Sequence, residues 1–154
     1  MLFSEYQRFQ YARSPLVEVI CQLRFPAILT INTKEPAEFQ EAVRHDFPRY
    51  AVRQEQRPPK LGGAGTPNAK LEPQSPVANH SFISADGFWK LNLTKDFIAL
   101  STLRYTRWED FALRLDKPLA QFIQVYEPAF FERIGLRYVN AVSKSRLGLT
   151  DLLW

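Results

Sequence analysis

Apolar and polar residues alternate from Leu16 to Phe25 (LVEVICQLRF). A strand sends successive side chains to opposite faces. Val17, Val19, Cys21, Leu23 and Phe25 therefore share one face, and Glu18, Gln22 and Arg24 share the other with Leu16 and Ile20. Pro26 closes this first strand, and residues 28–31 either extend it past a bulge or open a loop. The period then changes. Phe39, Val43 and Phe47 recur every four residues, behind Asn32 or Thr33 as N-cap. Glu35 and Glu38 suit the positive end of a helix dipole. The spacing predicts a helix over about residues 35–47, stopped before Pro48.

Residues 53–76 hold Pro58, Pro59, Pro67, Pro73 and Pro76 with Gly62, Gly63 and Gly65. They predict a long mobile loop rather than a domain boundary, since neither flank looks complete alone. Three strands follow as a meander. His80–Ala85 runs into Asp86-Gly87, a two-residue hairpin signal. Phe88–Thr94 returns, and Lys95-Asp96 turns the chain again. Phe97–Tyr105 is the third strand, with Phe97, Ala99, Leu103 and Tyr105 on one face and Ile98, Leu100 and Arg104 on the other. Thr106-Arg107-Trp108-Glu109 fits a capping box. Trp108, Phe111, Leu115, Leu119, Phe122 and Tyr126 trace a helical stripe, which Pro118 should kink or split and Pro128 ends. Residues 134–142 form the last strand.

The order β-α-βββ-α-β predicts one α+β domain over residues 1–154: a largely antiparallel sheet with two helices on one face. This is a ferredoxin-like variant with one extra strand. A single extra strand changes the direction parity, so some neighbours are expected to pair in parallel. A helix start at Thr150-Asp151 is cut off at Trp154, too short to be stable alone. That end suggests a missing C-terminal half, or an apolar end docked on its own core or on a second copy.

One triplet occurs three times: Leu23-Arg24-Phe25, Leu103-Arg104-Tyr105 and Leu136-Arg137-Tyr138. In strands, each sends Leu and the aromatic to one face and Arg to the other. Arg24, Arg104 and Arg137 are thus the candidate ligand-binding residues, since guanidinium forks suit phosphate or carboxylate. The structural alternative is pairing with acids such as Glu18 and coverage of apolar sheet surface by the Arg stems.

Charge adds little to this. The net charge is +4, but residues 1–52 hold six basic and six acidic side chains, residues 53–76 four and two, and residues 77–154 ten and eight. No basic run exists for a phosphate backbone. Aromatic stacking should accompany nucleic-acid binding, yet Phe25, Tyr105 and Tyr138 point away from the arginines. Cys21 is the only cysteine, which suits a reducing compartment. No signal peptide opens the chain and no window approaches roughly 18 apolar residues. A cytoplasmic protein is expected. His45 and His80, the only histidines, lie far apart without paired cysteines, so no metal or other cofactor is expected. No nucleophile–base pair is recognisable and no catalytic residue is nominated. The Gly-rich Leu61–Thr66 lacks the Lys-Ser/Thr of a phosphate loop.

PLVEVICQLRFP (15–26), EFQEAVRHDFPRY (38–50), SADGFWKLNLTKDFIALSTLRYTRWEDF (84–111) and EPAFFERIGLRYVNAV (127–142) together resemble the N-terminal half of a sporadically distributed prokaryotic family of uncharacterised proteins. The resemblance covers most of residues 15–142. It implies a longer protein and an accessory role, and it implies no catalytic residue. The sequence leads to a non-enzymatic interaction or accessory module with a protein partner or a second copy. The alternative is nucleic-acid or anionic-ligand binding through Arg24, Arg104 and Arg137.

Overall fold

The computed structural model describes residues 14–62 and 70–143. Alternation from Leu16 produces β1 (Leu16–Arg24). Two short helices follow, α1 (Thr30–Thr33) and α2 (Ala37–Val43), then β2 (Arg49–Glu55), β3 (Lys60–Gly62) and β4 (Lys70–Glu72). The meander is β5 (Val77–Ile83), β6 (Trp89–Thr94) and β7 (Phe97–Thr102). A long helix α3 (Trp108–Tyr126) leads to β8 (Arg133–Asn140).

Six strands form one sheet in the order β2-β5-β6-β7-β1-β8, and every neighbouring pair is antiparallel. The fold is α+β, as expected, with three helices among the described residues instead of two. The expected parallel neighbours do not occur, because β2 is a second additional strand and restores the direction parity. β3 and β4 form a separate two-stranded hairpin. The stretch read as one loop over residues 53–76 thus contains the end of β2 and two short strands.

The helices lie on one face. Val19, Cys21 and Leu23 of β1 pair with Thr102, Leu100 and Ile98 of β7, and all of these are buried. Leu91 and Leu93 of β6 and Phe82 of β5 extend the same layer, and Trp89 of β6 packs against it on the helix side. Phe39 and Val43 of α2 and Phe111, Leu115 and Phe122 of α3 close on it. Phe25, Phe39, Phe47, Phe82, Phe111 and Phe122 are all at most 1% exposed. Each such ring contributes about 1.5–3 kcal/mol by leaving water, so these phenylalanines supply a large share of the core's stability.

Local capping differs from the sequence reading. The predicted helix over 35–47 ends at Val43, and Pro36 stands at its N-cap. Asn32 instead uses its side-chain oxygen to accept from the Ala78 N–H of β5 at 2.8 Å. The Thr106–Glu109 capping box does not form. Arg107 is the N-cap of α3, and Asp110 accepts from the Thr106 hydroxyl and the Arg107 guanidinium. Pro118 does not split α3. It is buried at the core face of one continuous helix, where packing outweighs the hydrogen bond its missing N–H forfeits. The Asp86-Gly87 turn is longer than two residues, spanning Ser84 to Phe88. Gly87 there takes a φ of 76°, a left-handed conformation that costs glycine little.

β2 was hidden because only Tyr50 and Val52 mark its apolar phase. Its anchor is polar. The Tyr50 hydroxyl lies 2.9 Å from His80 Nδ1, and His80 Nε2 lies 2.8 Å from the Ile31 carbonyl. A carbonyl only accepts, so Nε2 carries a proton toward Ile31, and Nδ1 shares a hydrogen bond with the Tyr50 hydroxyl. His80 is a buried structural residue within β5, and His45 is exposed beyond α2.

Candidate anion-binding sheet face

The three sequence-nominated arginines do not share one site. Arg24 and Arg137 lie on the sheet face opposite the helices, since Ile20 pairs with Arg137 and even-numbered positions of β1 face away from the core. Arg104 does not belong there. β7 ends at Thr102, and Arg104 lies beyond it, its guanidinium 3.6 Å from the centre of the Phe88 ring. That cation–π contact occupies Arg104 locally. The expected face assignment of β7 is reversed: Ile98 and Leu100 are core, while Phe97, Ala99 and Ser101 share the face of Arg24.

Arg24 is already engaged. Its guanidinium lies 3.4 Å from Asp96, which also receives Arg57 at 2.7 Å to both carboxylate oxygens and the Thr94 hydroxyl at 3.0 Å. Burial pushes the Asp96 carboxyl up, but these hydrogen bonds and the charges of Arg57 and Arg24 outweigh it. The carboxyl is held below its ordinary value, and Asp96 is a charged hub that fastens the β6–β7 turn to β1 and to the chain beyond β2.

Sequence reasoning missed Arg133, because the last strand was started one residue late. Arg133 pairs directly with Arg24 across β1 and β8. Like charges facing each other are unfavourable, and the two groups diverge. Arg24 turns to Asp96, while the Arg133 guanidinium turns back over Gly135: a Cβ built on Gly135 would stand 3.5 Å from it. The signal available in the sequence was the same-face spacing of Arg133 and Arg137.

The register aligns this face into three rows running across the strands. The first is Arg49, Ile83, Lys90, Ser101, Ile20 and Arg137. The middle row is Ala51, Ser81, Asn92, Ala99, Gln22 and Gly135. The third contains Arg53 and Asn79, then Thr94, Phe97, Arg24 and Arg133. Two rows carrying Arg and Lys thus flank a neutral row of small and carboxamide side chains. A depression of about 330 Å³ lies on this face, with Gln22, Asn92 and Ala99 in it, Arg133 and Arg137 on one side and Glu55 on the other. Asn79 bridges from Glu55 at 2.6 Å to Asn92 at 2.8 Å, and Asn92 also reaches Ser81 at 2.9 Å.

The fold sorts charge that looked dispersed along the chain. By strand parity the open face holds Arg24, Arg49, Arg53, Lys90, Arg133 and Arg137 against Glu18 and Glu55. On the opposite side, α2 and α3 hold Glu38, Glu41, Glu109, Asp110 and Asp116 against Arg114 and Lys117. Among the described residues no helix packs on the basic face, and β3–β4 packs chiefly on itself.

A second uncovered surface lies at the edge strand β8. Ile134, Leu136 and Tyr138, on its helix-side face, are exposed, and among the described residues no helix makes substantial contact with β8. No group of three potential metal-binding side chains exists among the described residues. No helix there is long and apolar enough to cross a membrane.

The class these features define is an α+β fold with a six-stranded antiparallel sheet, one face under helices and the other basic and, among the described residues, uncovered by any helix. Comparisons with protein-family models, with curated proteins and with solved structures find no match.

Proposed function

We propose that the chain is a non-enzymatic binding or accessory module that takes an anionic ligand on its open sheet face. The supporting observation is the pair of basic rows flanking a neutral trough. Arg133 and Arg137 are the principal contacts; Arg24 is held by Asp96, and Arg104 takes no part. In a partly enclosed groove, guanidinium groups bind phosphate or carboxylate more strongly than isolated surface charges do. Membership of the sporadic prokaryotic family suggested by the sequence belongs to the same proposal. A protein-contact reading draws on the exposed Ile134, Leu136 and Tyr138 stripe, since unshielded apolar edges favour strand addition.

Salt elution from a sulfated-polymer column tests the anion reading. Arg133→Ala/Arg137→Ala is expected to elute at clearly lower salt than wild type. A double change of equal charge on the helix side, Arg107→Ala/Lys117→Ala, should shift elution much less. Equal shifts for the two pairs would mean that net charge, not this face, governs binding.

A further inference from the structure

We infer that the occupant of this face is a single-stranded polynucleotide lying across the strands along the middle row. The inference rests on the anion-binding reading and narrows it to one ligand class. Three observations carry it.

The first is extent. Basic side chains occur on β2, β6, β1 and β8, that is, across the whole sheet. Six strands at about 4.8 Å spacing make this face roughly 24 Å wide. One phosphate or a small dianion engages one or two guanidinium groups; only a ligand with charge repeated along its length uses both rows.

The second is the floor. Ala99 has no bulk to hold a ligand off the sheet, and Gly135 leaves room for the Arg133 guanidinium to lie over it at the edge of the trough. Asn92 and Gln22 lie in the same row; the Asn92 amide nitrogen donates to Asn79 and Ser81, which leaves its side-chain oxygen as an acceptor, and the Gln22 carboxamide matches base edges in donor and acceptor pattern. Asn79 and Glu55 continue this polar surface toward β2. The negative Glu55 disfavours phosphate there but accepts well from an exocyclic base amine.

The third is Phe97. It is half-buried and lies on the same face as the arginines, as the cross-strand partner of Arg24. A ring beside the trough provides the stacking surface that single strands use irrespective of sequence. A duplex keeps its base faces stacked internally, and this face projects no helix or ribbon to enter a groove.

The test is fluorescence anisotropy on the full 154-residue chain. The probes are labelled oligo-dT and oligo-rU 12-mers, a duplex of equal length, and unlabelled polyglutamate and inorganic pyrophosphate as competitors. The single strands should bind with an affinity that falls steeply with salt, and the duplex at least tenfold more weakly. Arg133→Ala/Arg137→Ala should lose at least tenfold and flatten the log–log salt slope by roughly 1.4, about 0.7 for each phosphate contact removed. Phe97→Ala should weaken binding severalfold and leave the slope unchanged, as stacking carries no counterion release. Lys90→Ala, an exposed change on β6, provides an independent smaller loss, and far-UV circular dichroism establishes that each variant is folded. Pyrophosphate or polyglutamate binding at Arg133 and Arg137 without 12-mer binding would overturn this inference and leave the anion reading standing. No binding of any polyanion would overturn both. Equal affinity for duplex and single strand, or an unaffected Phe97→Ala, would remove the base-contact claim.

Discussion

Replacing Phe122 with Ala is expected to lower the unfolding free energy by about 3–5 kcal/mol. Phe122 is fully buried in α3. Its ring centre lies 4.7 Å from that of Phe25, 5.4 Å from that of Tyr126 and 6.4 Å from that of Phe131. The substitution removes the transfer free energy of a large ring and leaves a cavity walled by three other aromatics. Those neighbours come from the end of β1, the end of α3 and the segment before β8, so no single backbone shift can close the space. Phe25 reaches this cluster from the chain just beyond β1, and the loss should therefore loosen the sheet's attachment to α3 and not only the helix end. Denaturant unfolding checks the value. A loss below about 1 kcal/mol would mean that the cluster is not the core's keystone.

Asp96→Asn is expected to cost about 2 kcal/mol at neutral pH, the scale of hydrogen bonds to a charged group. The Asp96 side chain is 11% exposed, against 30% for Arg57 and 44% for Arg24. Most of the effect therefore comes from Arg57, while water screens the Arg24 contribution. The pH dependence has a definite sign. The folded carboxyl titrates below the unfolded value of about 3.9. Its stabilisation is fully present above that pH and is lost as pH falls through the lower folded value. Unfolding midpoints of wild type and Asp96→Asn should differ at pH 7 and converge below about pH 4. A gap that persists into strong acid would assign the loss to packing instead of charge.

β1 was legible because every second residue from Val17 to Phe25 is apolar, and α3 because its stripe recurs over nineteen residues. β7 was harder. Ile98 and Leu100 set one phase, while Phe97, Leu103 and Tyr105 suggest the other, and shifting the phase by one residue exchanges the faces. The pairing of Ile98 and Leu100 with Leu23 and Cys21 decides it, bringing Phe97 to the open face and leaving Arg104 outside the strand. Phe25 and Tyr138 stay on the helix side, and that correction brings one ring, Phe97, to the arginines' face. The transverse rows were not legible at all. They depend on the register of five strand pairs, and residues as distant as Arg49 and Arg137 meet in one row only after the sheet is assembled. Charge counted in segments of chain hides the same fact, because alternation sends basic residues to one face while the acids collect on the helices.

Most direct is an NMR titration with the oligo-dT 12-mer, following the side-chain amides of Gln22, Asn79 and Asn92 and the backbone amide of Gly135. The expected result is that these resonances shift together and saturate, while those of α2 and α3 stay in place. Shifts confined to the helices, or to Ile134, Leu136 and Tyr138 at the sheet edge, would contradict the assignment of binding to the open basic face.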